Sequence, residues 1–173
     1  MAEAAGESMA LGDPPEVDEH GRTPLYNACL NGHMDAARSL LAQGADVNRA
    51  TKNGVTPLYI ACSYGNVAVV RLLLDKGAEV DRAMKDGRTP LYNACGNGQV
   101  DAARLLLDKG AAVDRATKSG RTPLYIACEK GHVDVVRLLL EKGAEVNRAL
   151  EDGTTPLYVA CCWGYVAVAR LLL

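Results

Sequence analysis

The sequence contains no phenylalanine, a single tryptophan and only 5% aromatic residues. A core so short of large rings must be filled by Leu, Val, Ile and Ala, residues that suit thin layers of packed helices. No apolar run reaches the ~18 residues of a membrane-spanning helix. The opening segment MAEAAGESMALGDPPE has no basic start followed by an apolar block, so it does not read as a secretory signal. It carries Glu3, Glu7, Asp13 and Glu16 with no Lys or Arg, and residues 1–16 read as a disordered acidic N-terminal tail. A basic excess is missing too: 19 Lys and Arg against 21 Asp and Glu leave a formal charge of −2, which argues against nucleic acid as partner. There is no C-x-x-C pair and no cluster offering the four convergent ligands of a zinc site. No Ser/His/Asp constellation, phosphate loop or isolated carboxylate pair stands out. The expectation is a protein that is not an enzyme and has no cofactor, no metal site and no membrane association.

Repetition is what the sequence has in abundance. TPLY occurs at 23–26, 56–59, 89–92, 122–125 and 155–158, always 33 residues apart. Gly21, Gly54, Gly87, Gly120 and Gly153 keep the same interval, as do Cys29, Cys62, Cys95, Cys128 and Cys161, and Arg38, Arg71, Arg104, Arg137 and Arg170. Five units without an insertion imply a stacked solenoid. Within a unit, Thr followed by Pro signals a helix start: the hydroxyl caps the N-terminus, and Pro fills the first helical position where its missing N–H does no harm. A short helix is predicted from about Pro24 to Leu30, ended by Asn31-Gly32. A second is predicted near Met34 to Gln43, closed by Gly44, with Ala36, Ala37, Leu40 and Leu41 as its apolar face. The polar stretch VNRATKNG then forms an extended finger with a tight turn at Asn53-Gly54. Helices this short are marginal alone. Each unit must bury its apolar face against its neighbour, which is why the same letters recur.

The segment GRTPLYNACLNGHMDAARSLLAQGADVN (21–48) and its four copies resemble the ankyrin repeat family. The resemblance covers residues 17–173 and implies an all-α solenoid of helix-turn-helix units with extended, β-hairpin-like fingers. Two departures recur in every copy: Tyr26, Tyr59, Tyr92, Tyr125 and Tyr158 stand where the family usually has His, and Cys where it usually has a second Ala. Each Tyr hydroxyl needs a new partner or a path to water. Bulk alternates along the array. Repeats one and three carry Asn27 and Asn93 with Ala36-Ala37 and Ala102-Ala103, whereas repeats two and four carry Ile60 and Ile126 with Val69-Val70 and Val135-Val136. Either bulky and small layers interdigitate, or a two-repeat block was duplicated.

Stacked helices lie roughly 8–10 Å apart, whereas a disulfide needs Cα atoms within about 6.8 Å. The five periodic Cys are therefore expected to be reduced core thiols, with Cys162 at a variable surface position, where a reactive thiol is the alternative to an inert one. Such usage fits a reducing compartment, cytoplasmic or nuclear. His33 and His132 follow the medial Gly at a turn position, and His20 sits on the first finger. Asn48 and Asn147 occupy a position that, by the resemblance, is a substrate for asparaginyl hydroxylation; the plainer reading is a hydrogen-bonding loop residue. Asp81 and Asp114 replace it in repeats two and three.

Positions identical in all repeats serve stacking, and positions that differ are free to specify a partner. The resemblance places the variable ones along one concave groove of fingers and first helices. The candidate partner-binding residues are Lys52, Asn53, Val55, Ser63, Tyr64, Lys85, Asp86, Arg88, Asn97, Lys118, Ser119, Arg121, Glu129, Lys130 and Trp163. Over the variable finger positions, Glu19 with Arg22 sum to zero, Lys52 gives +1, Lys85 with Asp86 and Arg88 +1, Lys118 with Arg121 +2, and Glu151 with Asp152 −2. The expected activity is non-catalytic binding of an extended or acidic protein, steered by this stripe and anchored near Tyr64. Alternatives are a structural spacer or self-assembling segment of a larger array, or a regulatory domain of a larger enzyme or channel. The sequence stops at Leu173 inside the second helix of repeat five, with no closing Gly, and reads as a piece of a longer array. A monomer is expected unless that apolar end self-associates.

Overall fold

The computed structural model describes residues 17–173, and the acidic-tail reading of residues 1–16 lies outside them. Ten helices follow in pairs: α1 (Pro24–Leu30), α2 (Met34–Ala42), α3 (Pro57–Ser63), α4 (Val67–Asp75), α5 (Pro90–Gly96), α6 (Val100–Asp108), α7 (Pro123–Lys130), α8 (Val133–Glu141), α9 (Pro156–Cys162) and α10 (Val166–Leu172). The odd-numbered helices form one row, each packed on the next, and the even-numbered helices form a second row behind them.

The Thr-Pro start works as its chemistry requires. Thr23, Thr56, Thr89, Thr122 and Thr155 adopt extended backbone, and each hydroxyl accepts the N–H of the Tyr three residues on, at 3.0–3.2 Å. The fully buried Leu25, Leu58, Leu91 and Leu124 come from the same turns. Burying a side chain of this kind contributes roughly 1.5–3 kcal/mol. The medial glycines have positive φ, which ends each first helix. They also leave room. A Cβ on Gly98 would lie 2.9 Å from the His132 ring, and one on Gly131 would lie 2.7 Å from Tyr165. The residue after one medial Gly thus packs over the medial Gly of the preceding repeat.

Hydrogen bonds cross the repeat boundaries at the same place. Asn66 Nδ2 donates to the Cys29 carbonyl at 2.9 Å, and His132 Nε2 lies 3.1 Å from the Gly96 carbonyl. A second set lies on the loops. Asn48 Oδ1 accepts from Glu79 N–H at 2.9 Å, and its Nδ2 donates to Gly77 O at 3.3 Å. Asp81 and Asp114 accept from the Ala112 and Glu145 N–H groups. Lys109 to Asp75 (3.0 Å) and Lys142 to Asp108 (2.7 Å) pair successive outer helices.

The fingers are shorter than their expected description. No strand occurs among the described residues. Each finger is a five-residue turn closed by two backbone bonds, such as Thr51 N–H to Val55 O (3.0 Å) and Gly54 N–H to Thr51 O (2.9 Å). Five residues leave no length for a ladder.

Candidate functional site

The groove is built from three sets of side chains: the finger tips, the first turn of the odd-numbered helices, and the last turn of those helices. Tyr26, Tyr59, Tyr92 and Tyr125 line its floor, each less than 10% exposed, because the following repeat covers the ring. Burial pushes the Tyr59 phenol up to about 12, with Arg88 of the next finger opposing the shift. Burial likewise raises Tyr92, and Arg121 of its next finger opposes that. Arg121 also stands over the Tyr125 ring, 5.6 Å from its centroid. Tyr59, Arg88, Tyr92, Arg121 and Tyr125 therefore alternate along the floor from repeat two to repeat four. Guanidinium groups thus accompany Tyr59, Tyr92 and Tyr125 along the floor.

Both arginines are already paired. Arg88 Nε lies 2.6 Å from Asp86 Oδ2. Burial alone would raise the Asp86 carboxyl; the Arg88 backbone N–H and guanidinium overcome it and hold the group below its ordinary value. Arg121 lies 3.3 Å from Glu129 Oε1, whose side chain is only 17% exposed. Asp86 is already counted in the stripe, so the structure takes one further cation from it, Arg121, which pairs with Glu129. Lys52, Lys85 and Lys118 are exposed at equivalent finger positions, and no ion pair engages them among the described residues.

The other candidates divide by exposure. Asn53, Asp86, Asn97, Ser119 and Lys130 are exposed along the rim, and Tyr64 (60% exposed) and Trp163 (65%) are the prominent aromatic surfaces. Val55, Ser63 and Glu129 are half-buried. Ser63 is largely consumed by structure: its hydroxyl donates to the Tyr59 carbonyl at 3.0 Å and meets the Asn93 side chain of the next repeat. Asn97 donates to the Asn93 carbonyl at 3.0 Å.

One thiol departs from expectation. Cys29, Cys62, Cys95 and Cys128 are buried, and burial pushes Cys29 and Cys128 up to about 12. Cys161, expected in the core, is exposed alongside Cys162. The periodic slot is enclosed by the following repeat rather than by its own, and repeat five has no follower in the described chain. Tyr158 is 61% exposed for the same reason. His132, read as a turn residue, proves to be an inter-repeat hydrogen-bonding group; the polar run Asn66, Gln99 and His132 after successive medial glycines was its signal. Asn48 is held at both ends of its amide, whereas Asn147 is exposed.

Among the described residues, no group of three or more His, Cys, Asp or Glu could hold a metal ion, and no helix is long and apolar enough to cross a membrane. A description of ankyrin repeats in three copies matches residues 7–84, 81–149 and 120–173. The chain belongs to the ankyrin repeat family. It is similar to ankyrin repeat domain-containing protein 13B of Mus musculus and of Homo sapiens, 49% identical over 41 residues, or 24% of this chain and 6% of each of those proteins. It is also similar to ankyrin repeat domain-containing protein 49 of Bos taurus, 53% identical over 34 residues, or 20% of this chain and 14% of that protein. The matches thus span only a small fraction of those relatives. Ankyrin repeats are generally protein–protein interaction modules.

Proposed function

We propose that this chain is a non-catalytic interaction module that grips a protein partner in the groove between its fingers and its odd-numbered helices. The observation that carries the reading is a division of labour. The residues repeated in every unit are spent on caps, core and inter-repeat bonds, while exposed side chains that differ between units gather along one groove. Lysines there lack internal partners, and Tyr64 offers an aromatic surface beside them, of the type that anchors interfaces. Six free thiols favour a reducing compartment, cytoplasmic or nuclear.

The test is site-directed photo-crosslinking in cell extract. A photoreactive side chain in place of Tyr64 or Lys85 should capture a common protein, and one in place of the outer-helix residue Arg71 should not. Capture of that protein from Arg71 alone would reject the groove.

A second reading has its own support. Repeat five exposes Tyr158, Trp163, Val166 and Leu173 on one end, so a further unit of the same kind would cover it and the chain would act as a segment of an array. Concentration-dependent sedimentation that Trp163→Ala abolishes would favour this reading.

A further inference from the structure

We infer that the groove selects an extended acidic segment by the spacing of its carboxylates, one at every third residue and three in all. This rests on the interaction-module reading and adds the chemistry of the ligand.

Lys52, Lys85 and Lys118 repeat an exposed cation at one finger-tip position, two residues before the finger Gly, and no ion pair engages them among the described residues, whereas Arg22, Arg88 and Arg121 in the column after that Gly are each tied to a carboxylate. The fourth and fifth members of the column are Glu19 before them and Glu151 after them. Three cations with an anion at each end define a charge ruler with stops. A ligand that slid by one repeat would carry a carboxylate onto Glu19 or Glu151. Like charges in register are unfavourable, so the stops fix position as well as sign.

The length of one division follows from the fingers. Each is a turn two chain segments wide. Neighbouring fingers touch through backbone bonds, Lys52 N–H to His20 O (3.2 Å) and Lys118 N–H to Asp86 O (2.9 Å). Equivalent residues are therefore two chain spacings apart, about 9.5 Å at ~4.8 Å each. A polyproline II segment rises ~3.1 Å per residue with three residues per turn, so it returns the same face after about 9.3 Å. A β-strand repeats a face at about 6.7 Å. An α-helix needs seven residues and about 10.5 Å, accumulating about 1 Å of error at each division. Only the three-residue period stays in step across three lysines. Tyr64 lies near Tyr26, toward the repeat-one end of the groove, which places an apolar ligand residue at that end of the ruler. Arg88 and Arg121, tied to Asp86 and Glu129, do not add divisions to the ruler; they keep the floor in place.

The experiment uses the full chain and fluorescein-labelled peptides in anisotropy titrations at two salt concentrations. One peptide carries Glu at positions 1, 4 and 7 with Pro and Ala between. A second of the same composition carries Glu at 1, 3 and 5. A third is an Ala-based helix with Glu at 1, 8 and 15. The first should bind at least tenfold more tightly than either of the others. Lys85→Ala should weaken it about tenfold and flatten the salt dependence. Glu151→Lys should let a four-carboxylate peptide of the same period bind more tightly than the three-carboxylate one, which the native chain should not do. Equal binding of all three peptides, preference for the helical one, or no binding by any overturns the ruler. If the ruler fails while the protein captured at Tyr64 still loses affinity on Tyr64→Ala, the interaction module stands without it. If that protein ignores every groove substitution, the module reading itself is lost.

Discussion

Replacing Thr89 by Ala tests how the array distributes its stability. Thr89 is completely buried, and its hydroxyl accepts the Tyr92 N–H at 3.1 Å. Without it, that N–H has no acceptor and little access to water, because Tyr92 is 7% exposed. Losing a Thr cap costs ~1 kcal/mol on average, and an unsatisfied buried donor costs about 1–3 kcal/mol. These describe the same lost bond and do not add, so about 1–2 kcal/mol is expected. For a chain of this size, that lowers the melting temperature by roughly 3–6 °C. Thr155 makes the same bond at 3.2 Å, but Tyr158 is 61% exposed, so water can take over the N–H. Thr155→Ala should cost about 0.5 kcal/mol, the low end for caps. Thr89→Ser keeps the acceptor and should recover most of the loss. Urea unfolding followed by circular dichroism gives the totals, and hydrogen exchange at the Tyr92 and Tyr158 amides locates them. Equal losses at Thr89 and Thr155 would refute the reasoning, as would a Ser variant as weak as Ala.

Gly96→Ala sets two effects against each other. Helix propensity favours Ala by up to ~1 kcal/mol, but the new Cβ lies 3.0 Å from Ile126 Cγ1. A net loss of about 1 kcal/mol is expected, and the added cost should vanish in an Ile126→Ala background, which lacks Cγ1; a higher melting temperature with Ile126 intact would count against interdigitation. Iodoacetamide should label Cys161 and Cys162 in the native protein, and Cys29, Cys62, Cys95 and Cys128 only after unfolding; protection of Cys161 would contradict its exposed position. The Lys142 hydrogen bond holds the Asp108 carboxyl below its ordinary value of 3.8. That stabilisation is present above the ordinary value and is lost as pH falls through the depressed folded one. Lys142→Ala should therefore reduce the acid-induced loss of stability in that window; an unchanged acid profile would show that the pair contributes nothing.

Helix positions were legible because Thr-Pro and Asn-Gly or its equivalents are local chemistry, needing no knowledge of neighbours. The same holds for the core leucines that follow each Thr-Pro. Cys161 was misplaced because its slot is enclosed by a different repeat, and equivalence in sequence says nothing of whether that repeat is present. The fingers were legible from Asn53-Gly54 and its equivalents, but not that each closes within five residues. The cations of the charge stripe were legible in the sequence, but not which of them pair with carboxylates. Counting signs cannot reveal that Glu129, one helix away in sequence, turns back to Arg121. The role of His132 was half visible, since its position was clear but the carbonyl it meets belongs to a segment 36 residues earlier.

The packing of one repeat's first helix on the next has a consequence for how such a gene can change. Asn93 meets Ser63, and Ile126 sits against Gly96, so the two kinds of boundary alternate. Unequal recombination that drops one repeat joins halves of different boundaries. Losing repeat three, for example, would bring the branched Ile126 side chain onto Ser63, where an amide now sits. Dropping repeats two and three together puts Ile126 where Ile60 stood, so like replaces like. The coding sequence can therefore lengthen or shorten by pairs with little disturbance, while single steps leave a scar for later substitutions to repair. Descendants of this array should differ in length by even numbers of repeats more often than by odd ones.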